Sequence, residues 1–121
     1  MPSGAAILIV DDDAARREWL AAQVAAAGAI PTVAPSGAAA LAHLATATVD
    51  AALLAVRMTD AGAPTLLTRL AAVRTPVLVI AGAVDRAAWS AALVRGAAEL
   101  AAWPIAAAEL AARLRTLTAP R

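Results

Sequence analysis

Apolar and polar positions fall in blocks along the chain, and the blocks carry two different periods. Ala6-Ile7-Leu8-Ile9-Val10 is a continuous apolar run rich in β-branched side chains, the pattern of a strand covered on both faces. It ends abruptly in Asp11-Asp12-Asp13. Over residues 14–27 strong helix formers dominate, Leu20, Val24 and Ala27 recur at helical spacing, and Gly28 stands as a C-terminal stop. The opening unit is therefore strand, acidic turn, helix.

The unit recurs. Residues 30–34 read as a short strand, Pro35-Ser36-Gly37 as a turn, and residues 38–45 as a helix with Leu41 and Leu44 on one face. Asp50 precedes a second apolar run, Ala51-Ala52-Leu53-Leu54-Ala55-Val56, and a loop over 57–62 leads to a helix with Pro64 in its first turn. Leu66, Leu67, Leu70 and Val73 share a face of that helix. Pro76-Val77-Leu78-Val79-Ile80 is the clearest strand, and Ala81-Gly82-Ala83 follows it. A fourth helix is predicted over about 85–95, closing at Gly96, then a strand over 98–102, a turn at Trp103-Pro104, and a last helix over 106–117. Five parallel strands alternating with five helices make one doubly wound α/β domain over residues 1–121, with helices on both faces of the sheet. Its functional crevice is expected at the carboxyl ends of the strands.

Composition narrows the function classes. With no cysteine there are no disulfides, thiol nucleophiles or zinc-thiolate sites. Ten arginines and no lysine stand against nine acidic residues, a net charge of +1 without a basic stripe, so direct nucleic-acid binding is not expected. Forty alanines account for much of the 62% apolar content. No apolar run reaches the roughly 18–20 residues of a membrane span, and the first residues lack a signal peptide's charge. A cytoplasmic protein is expected. His43 has no second histidine or cysteine to share a metal with and is expected at the surface.

The order of elements carries Ile9-Val10-Asp11-Asp12-Asp13 after the first strand and Arg57-Met58-Thr59-Asp60 after the third. Gly96-Ala97-Ala98 precedes the fifth strand and Trp103-Pro104 follows it. Together these resemble the receiver domains of two-component response regulators, the CheY-like, flavodoxin-like fold, over essentially the whole chain. The resemblance implies a sheet order of 2-1-3-4-5 and a magnesium ion bound at the acidic pair, here Asp11 and Asp12. It also implies a phosphoacceptor aspartate ending strand three, a hydroxyl residue ending strand four and a lysine after strand five. Those three positions hold Ala55, Ala81 and Trp103.

Alanine has no nucleophile, so the aspartyl phosphate chemistry has no acceptor at Ala55, and a metal would lose its third carboxylate. Magnesium at Asp11 and Asp12 is then expected to be weak or absent, and no other cofactor is implied. The same aspartates suit helix capping, Asp13 best of all. Asp50 and Asp60 lie outside the crevice and do not replace the acceptor. Trp103 is large enough to cover the gap, and Trp103-Pro104 is implied to be cis. Three apolar residues among five reactive positions suggest a pocket rebuilt as core.

The expected function is that of a pseudo-receiver: no enzyme, but a signalling module working by protein contact, independent of phosphorylation. Its partner is another protein, an attached output domain or a second copy. The partner face combines the fourth helix, strand five and the last helix, with Trp89, Leu100 and Trp103 as its residues. Trp89 equally suits packing on neighbouring helices, and Trp19 reads as partial core or surface. The alternatives are a small-ligand or metal sensor using the crevice, and phosphorylation at some other residue.

Overall fold

The β-branched and leucine runs become the strands of one sheet, as their uninterrupted hydrophobicity requires. The computed structural model describes residues 4–55, 62–82, 87 and 99–119. In chain order they form β1 (Ala6–Val10), α1 (Ala14–Ala26), β2 (Ile30–Ala34), α2 (Gly37–Leu44), β3 (Ala51–Leu54), α3 (Ala63–Ala72), β4 (Val77–Ala81), β5 (Glu99–Ala102) and α4 (Ala107–Thr118). All pairings are parallel, in the order β2-β1-β3-β4-β5. This is the doubly wound order that the resemblance implies. The helix predicted over 85–95, Trp89 with it, lies outside the described residues apart from Ala87.

Period-two alternation divides the core into two layers. Leu8, Val10, Ala52, Leu54, Val77 and Val79 pack with Leu66, Leu67 and Leu70 of α3 and Ala40 of α2. Ile7, Ile9, Leu53, Leu78 and Ile80 turn the other way, onto Leu20 and Val24 of α1 and Leu110, Leu114 and Leu117 of α4. Pro31, which lacks an N–H, sits in edge strand β2, where one side of the strand has no partner.

The helix boundaries have local causes. Asp13 caps α1, its side chain accepting a hydrogen bond from the Arg16 backbone N–H at 2.9 Å, and Ser36 does the same for α2 through Ala39 at 3.1 Å. Gly28 ends α1 at φ 89°. At the opposite end of the sheet from the crevice, Asp50 accepts a hydrogen bond from Ala6 N at 2.7 Å, which fixes it as a capping carboxylate.

Two backbone sites lead to predictions of opposite sign. A Cβ on Gly62 would stand 2.6 Å from Ala38 N, where the start of α3 meets α2, so Gly62→Ala is expected to cost about 1–3 kcal/mol through overpacking. Arg74, just past α3, holds φ 58°, and Arg74→Gly is expected to gain about 1 kcal/mol by relieving the left-handed backbone. Urea midpoints at unchanged slope measure both.

Candidate functional site

The sheet's carboxyl edge brings together three chain segments that continue the ladder one residue past their strands. Asp11 N donates to Ala34 O at 3.0 Å, Ala55 N to Val10 O at 2.8 Å, and Trp103 N to Ala81 O at 3.0 Å. By strand alternation Asp11 follows Ile7 and Ile9, and Ala55 follows Ala51 and Leu53, toward α1. Ala55 is buried in the α1 and α4 layer, and Ala81 in the α2 and α3 layer. Neither offers a polar side-chain atom to the crevice.

Asp11 is wholly buried, the single buried charged side chain among the described residues. A carboxylate taken out of water must be paired and hydrogen-bonded or its desolvation is prohibitive. Arg16, in the first turn of α1, supplies the partner: its Nε donates to Asp11 Oδ2 at 2.6 Å and its Nη2 to Asp11 Oδ1 at 2.7 Å. This is a bidentate fork, the strongest form of arginine–carboxylate pairing. The Asp13 backbone N–H adds a third donor to Oδ1 at 2.9 Å.

The same guanidinium reaches further. Its Nη2 donates to the Ala55 carbonyl oxygen at 3.1 Å and lies 3.7 Å from Asp12 Oδ1. Arg17 closes the back of the site, its Nη1 donating to the Asp11 carbonyl at 2.9 Å. Hydrogen bonding to Asp11 is the main reason the Arg16 guanidinium titrates above its ordinary value. Burial opposes the shift, and the charges of Asp11, Asp13 and Asp12 add to it. A raised arginine pKa leaves the pair's stabilisation complete below the unfolded value, to be lost only as pH rises through the folded one. Arg16 therefore stays charged throughout the neutral range.

Trp103 roofs the fork. Its ring centroid lies 5.5 Å from the Arg16 guanidinium carbon, within cation–π range, and Trp19 of α1 meets it edge-on with centroids 5.6 Å apart. The Trp103–Pro104 peptide is cis. Beside the two tryptophans runs an open, mainly apolar groove of about 400 Å³, lined by Asp13, Ala15, Arg16, Trp19, Trp103, Pro104 and Ile105.

Of the residues singled out in the sequence, the structure thus joins Asp11, Ala55 and Trp103 around one guanidinium. Asp12 stands at the exposed rim, its side chain 57% exposed and 3.7 Å from the Arg16 guanidinium, and Ala81 is buried in the other layer. Leu100 is half-buried in β5 against the α2 and α3 layer, and Glu99 beside it pairs with Arg113 of α4 at 2.8 Å. His43 is half-buried at the end of α2, where a surface position was expected, and favours the helix's negative end. Among the described residues no group of three or more His, Cys, Asp or Glu side chains is placed to hold a metal. No described helix is long and apolar enough to cross a membrane.

The organising residue, Arg16, is one that sequence reasoning passed over as part of a helix. A signal existed. A cation in the first turn opposes the helix dipole, so Arg16, three residues after the last of three aspartates, needed a partner outside the helix. Beside the core positions of Ala55 and Ala81, the crevice holds a tethered charge, the Arg16 guanidinium.

Because Asp11 is buried, removing its partner should be costly. Arg16→Met is expected to destabilise the domain by about 2–4 kcal/mol, the 24% exposure of the Arg16 side chain placing it below a fully buried pair. Glu99→Gln, in the half-exposed pair with Arg113, should cost at most about 1 kcal/mol. Denaturant unfolding at low and high salt compares them, and only the second loss should shrink with salt.

The comparisons agree with this fold. The pattern described as the response regulator receiver domain matches residues 7–115. No curated protein matches significantly. Among solved structures, a candidate response regulator from Chloroflexus aurantiacus is similar at 28% identity and a TM-score of 0.85, over 98% of this chain and 100% of that one. A CheY-like receiver domain protein from Methanospirillum hungatei superimposes at TM-score 0.83 and 22% identity, over 94% of this chain and 93% of that one. NtrX from Brucella abortus, in complex with ADP, superimposes at TM-score 0.84 and 23% identity over 95% of this chain. This chain spans 27% of NtrX. At such identities the last two speak for the fold alone. On the match over residues 7–115 and this sheet order, the chain belongs to the response regulator receiver domain family.

Proposed function

We propose that the domain is a pseudo-receiver, a module of two-component-type signalling that takes no phosphoryl group and acts through protein contact. One observation carries the reading: the crevice at the sheet's carboxyl edge is closed on itself, with Arg16 forked onto Asp11 and hydrogen-bonded to Ala55 O. Ala55 stands where the family's acceptor carboxylate belongs, and no side chain there can attack phosphorus. Ala81 and Trp103 supply neither the hydroxyl nor the lysine that would attend a phosphoryl group.

Magnesium, which receiver domains bind at their phosphorylation site, does not fit the residues present. Both Asp11 oxygens are engaged by Arg16, the third carboxylate is replaced by Ala55, and Asp12 is an exposed rim carboxylate that already faces Arg16 at 3.7 Å. Divalent magnesium requires oxygen ligands in near-octahedral geometry and dehydrates reluctantly, so a tethered guanidinium with two short bonds holds the place against it. The domain is not an enzyme in this reading.

Contact with a partner protein, an attached output domain or a second copy is assigned to β5, α4 and the helix predicted over 85–95, with Leu100 and Trp103 as described residues of that face and Trp89 outside the described residues. The small-ligand sensor has one observation in its favour, the groove beside Trp19 and Trp103. A compound that raises the melting temperature in wild type but not in Trp103→Ala would support it.

Intact mass after incubation with acetyl phosphate and magnesium tests the main reading. No phosphoryl adduct is expected on the wild-type chain. An adduct, mapped to any carboxylate, contradicts it.

A further inference from the structure

We propose that Arg16 is the domain's built-in cation, seated where the family's phosphorylation site holds a divalent metal, so that the receiver keeps the ends of β1, β3 and β5 together without one. This deepens the proposed function and rests on its assignment of the crevice. The guanidinium gathers the oxygen atoms a cation would seek at this strand end: both Asp11 oxygens at 2.6 and 2.7 Å, the Ala55 carbonyl at 3.1 Å, and Asp12 at 3.7 Å.

The charges balance for this arrangement and not for the metal. With Ala55 in place of an acceptor carboxylate, the buried part of the site carries one negative charge, on Asp11, and one positive charge neutralises it. A divalent ion added beside Arg16 would leave an excess inside the site, whereas with Arg16 removed it would face the carboxylates of Asp11 and Asp12. The roof agrees. An aromatic face at 5.5 Å stabilises a cation below it, whereas a lysine at position 103 would set a second cation against Arg16. Ala55, Trp103 and Arg16 are thus one electrostatic set, each favouring the other two. The tether adds to this, because an intramolecular cation does not have to be recruited from solution.

Thermal unfolding of the full chain, in EDTA and with about 10 mM magnesium or manganese chloride, decides the matter through the stabilisation that a bound ligand confers. The wild-type midpoint is expected to be the same in all three. Arg16→Met is expected to melt lower in EDTA and to recover at least half of the loss with either ion. Asp11→Asn combined with Arg16→Met should show no response. A wild-type midpoint that rises with either ion overturns the proposal, as does a folded Arg16→Met variant that ignores both. If Arg16→Met does not fold in EDTA, refolding on addition of manganese supports the proposal. If it does not fold with manganese either, Arg16→Lys decides: its cation on a tether should leave the midpoint insensitive to added ion, and a rise contradicts the proposal. Phosphorylation of wild type would instead strike the proposed function, which the acetyl phosphate experiment reads separately.

Discussion

A carboxylate buried at the end of β1 must have a cation, and much of the crevice follows from that constraint. Asp11 has no exposed surface, and the free energy of leaving such a charge unpaired exceeds what most single contacts in a small domain contribute. Arg16 meets the need from the first turn of α1. Its fork also reaches the carbonyl that follows β3, and its face lies under the tryptophan that follows β5. One side chain therefore joins a helix to the ends of three strands.

That junction depends on the sheet beneath it. Parallel order β2-β1-β3-β4-β5 sets β1 beside β3, and strand alternation aims Asp11 and the Ala55 side chain toward the layer that holds α1. Asp13, as N-cap, fixes where α1 begins, which places Arg16 three residues on, over the strand end. Fold, cap and ion pair are consecutive steps of one cause. A chain so arranged keeps the receiver family's architecture and ties the ends of its strands together through one ion pair.

Much of the fold was legible because β1, β3 and β4 are unbroken apolar runs and α1 carries a helical pattern with an identifiable stop. The runs around Ile7 and Val77 marked strands buried on both faces, Gly28 marked a helix end, and Asp13 was recognisable as a cap. At the site, Asp11, Ala55, Ala81 and Trp103 could be placed because their position after a strand is a matter of counting. Arg16 could not be placed that way. Its role depends on side-chain reach across to Asp11 and Ala55 O, a tertiary relation that helical periodicity does not encode, although its unfavourable position in a first turn was a clue. Similarly, the sequence marks Asp11 and Asp12 as a pair, while the fold buries one and exposes the other.

The central claim is that this crevice is closed by its own arginine and does not respond to phosphoryl chemistry. Nitrogen-15 NMR of the wild-type chain, following backbone amides and the Arg16 Nε–H before and after addition of beryllium fluoride with magnesium, tests it directly, because beryllium fluoride mimics an aspartyl phosphate. The account predicts a protected Arg16 Nε–H and no shifts at Asp11, Ala55, Ala81 or Trp103. Saturable shifts clustered at those residues, with loss of the Arg16 signal, would contradict it.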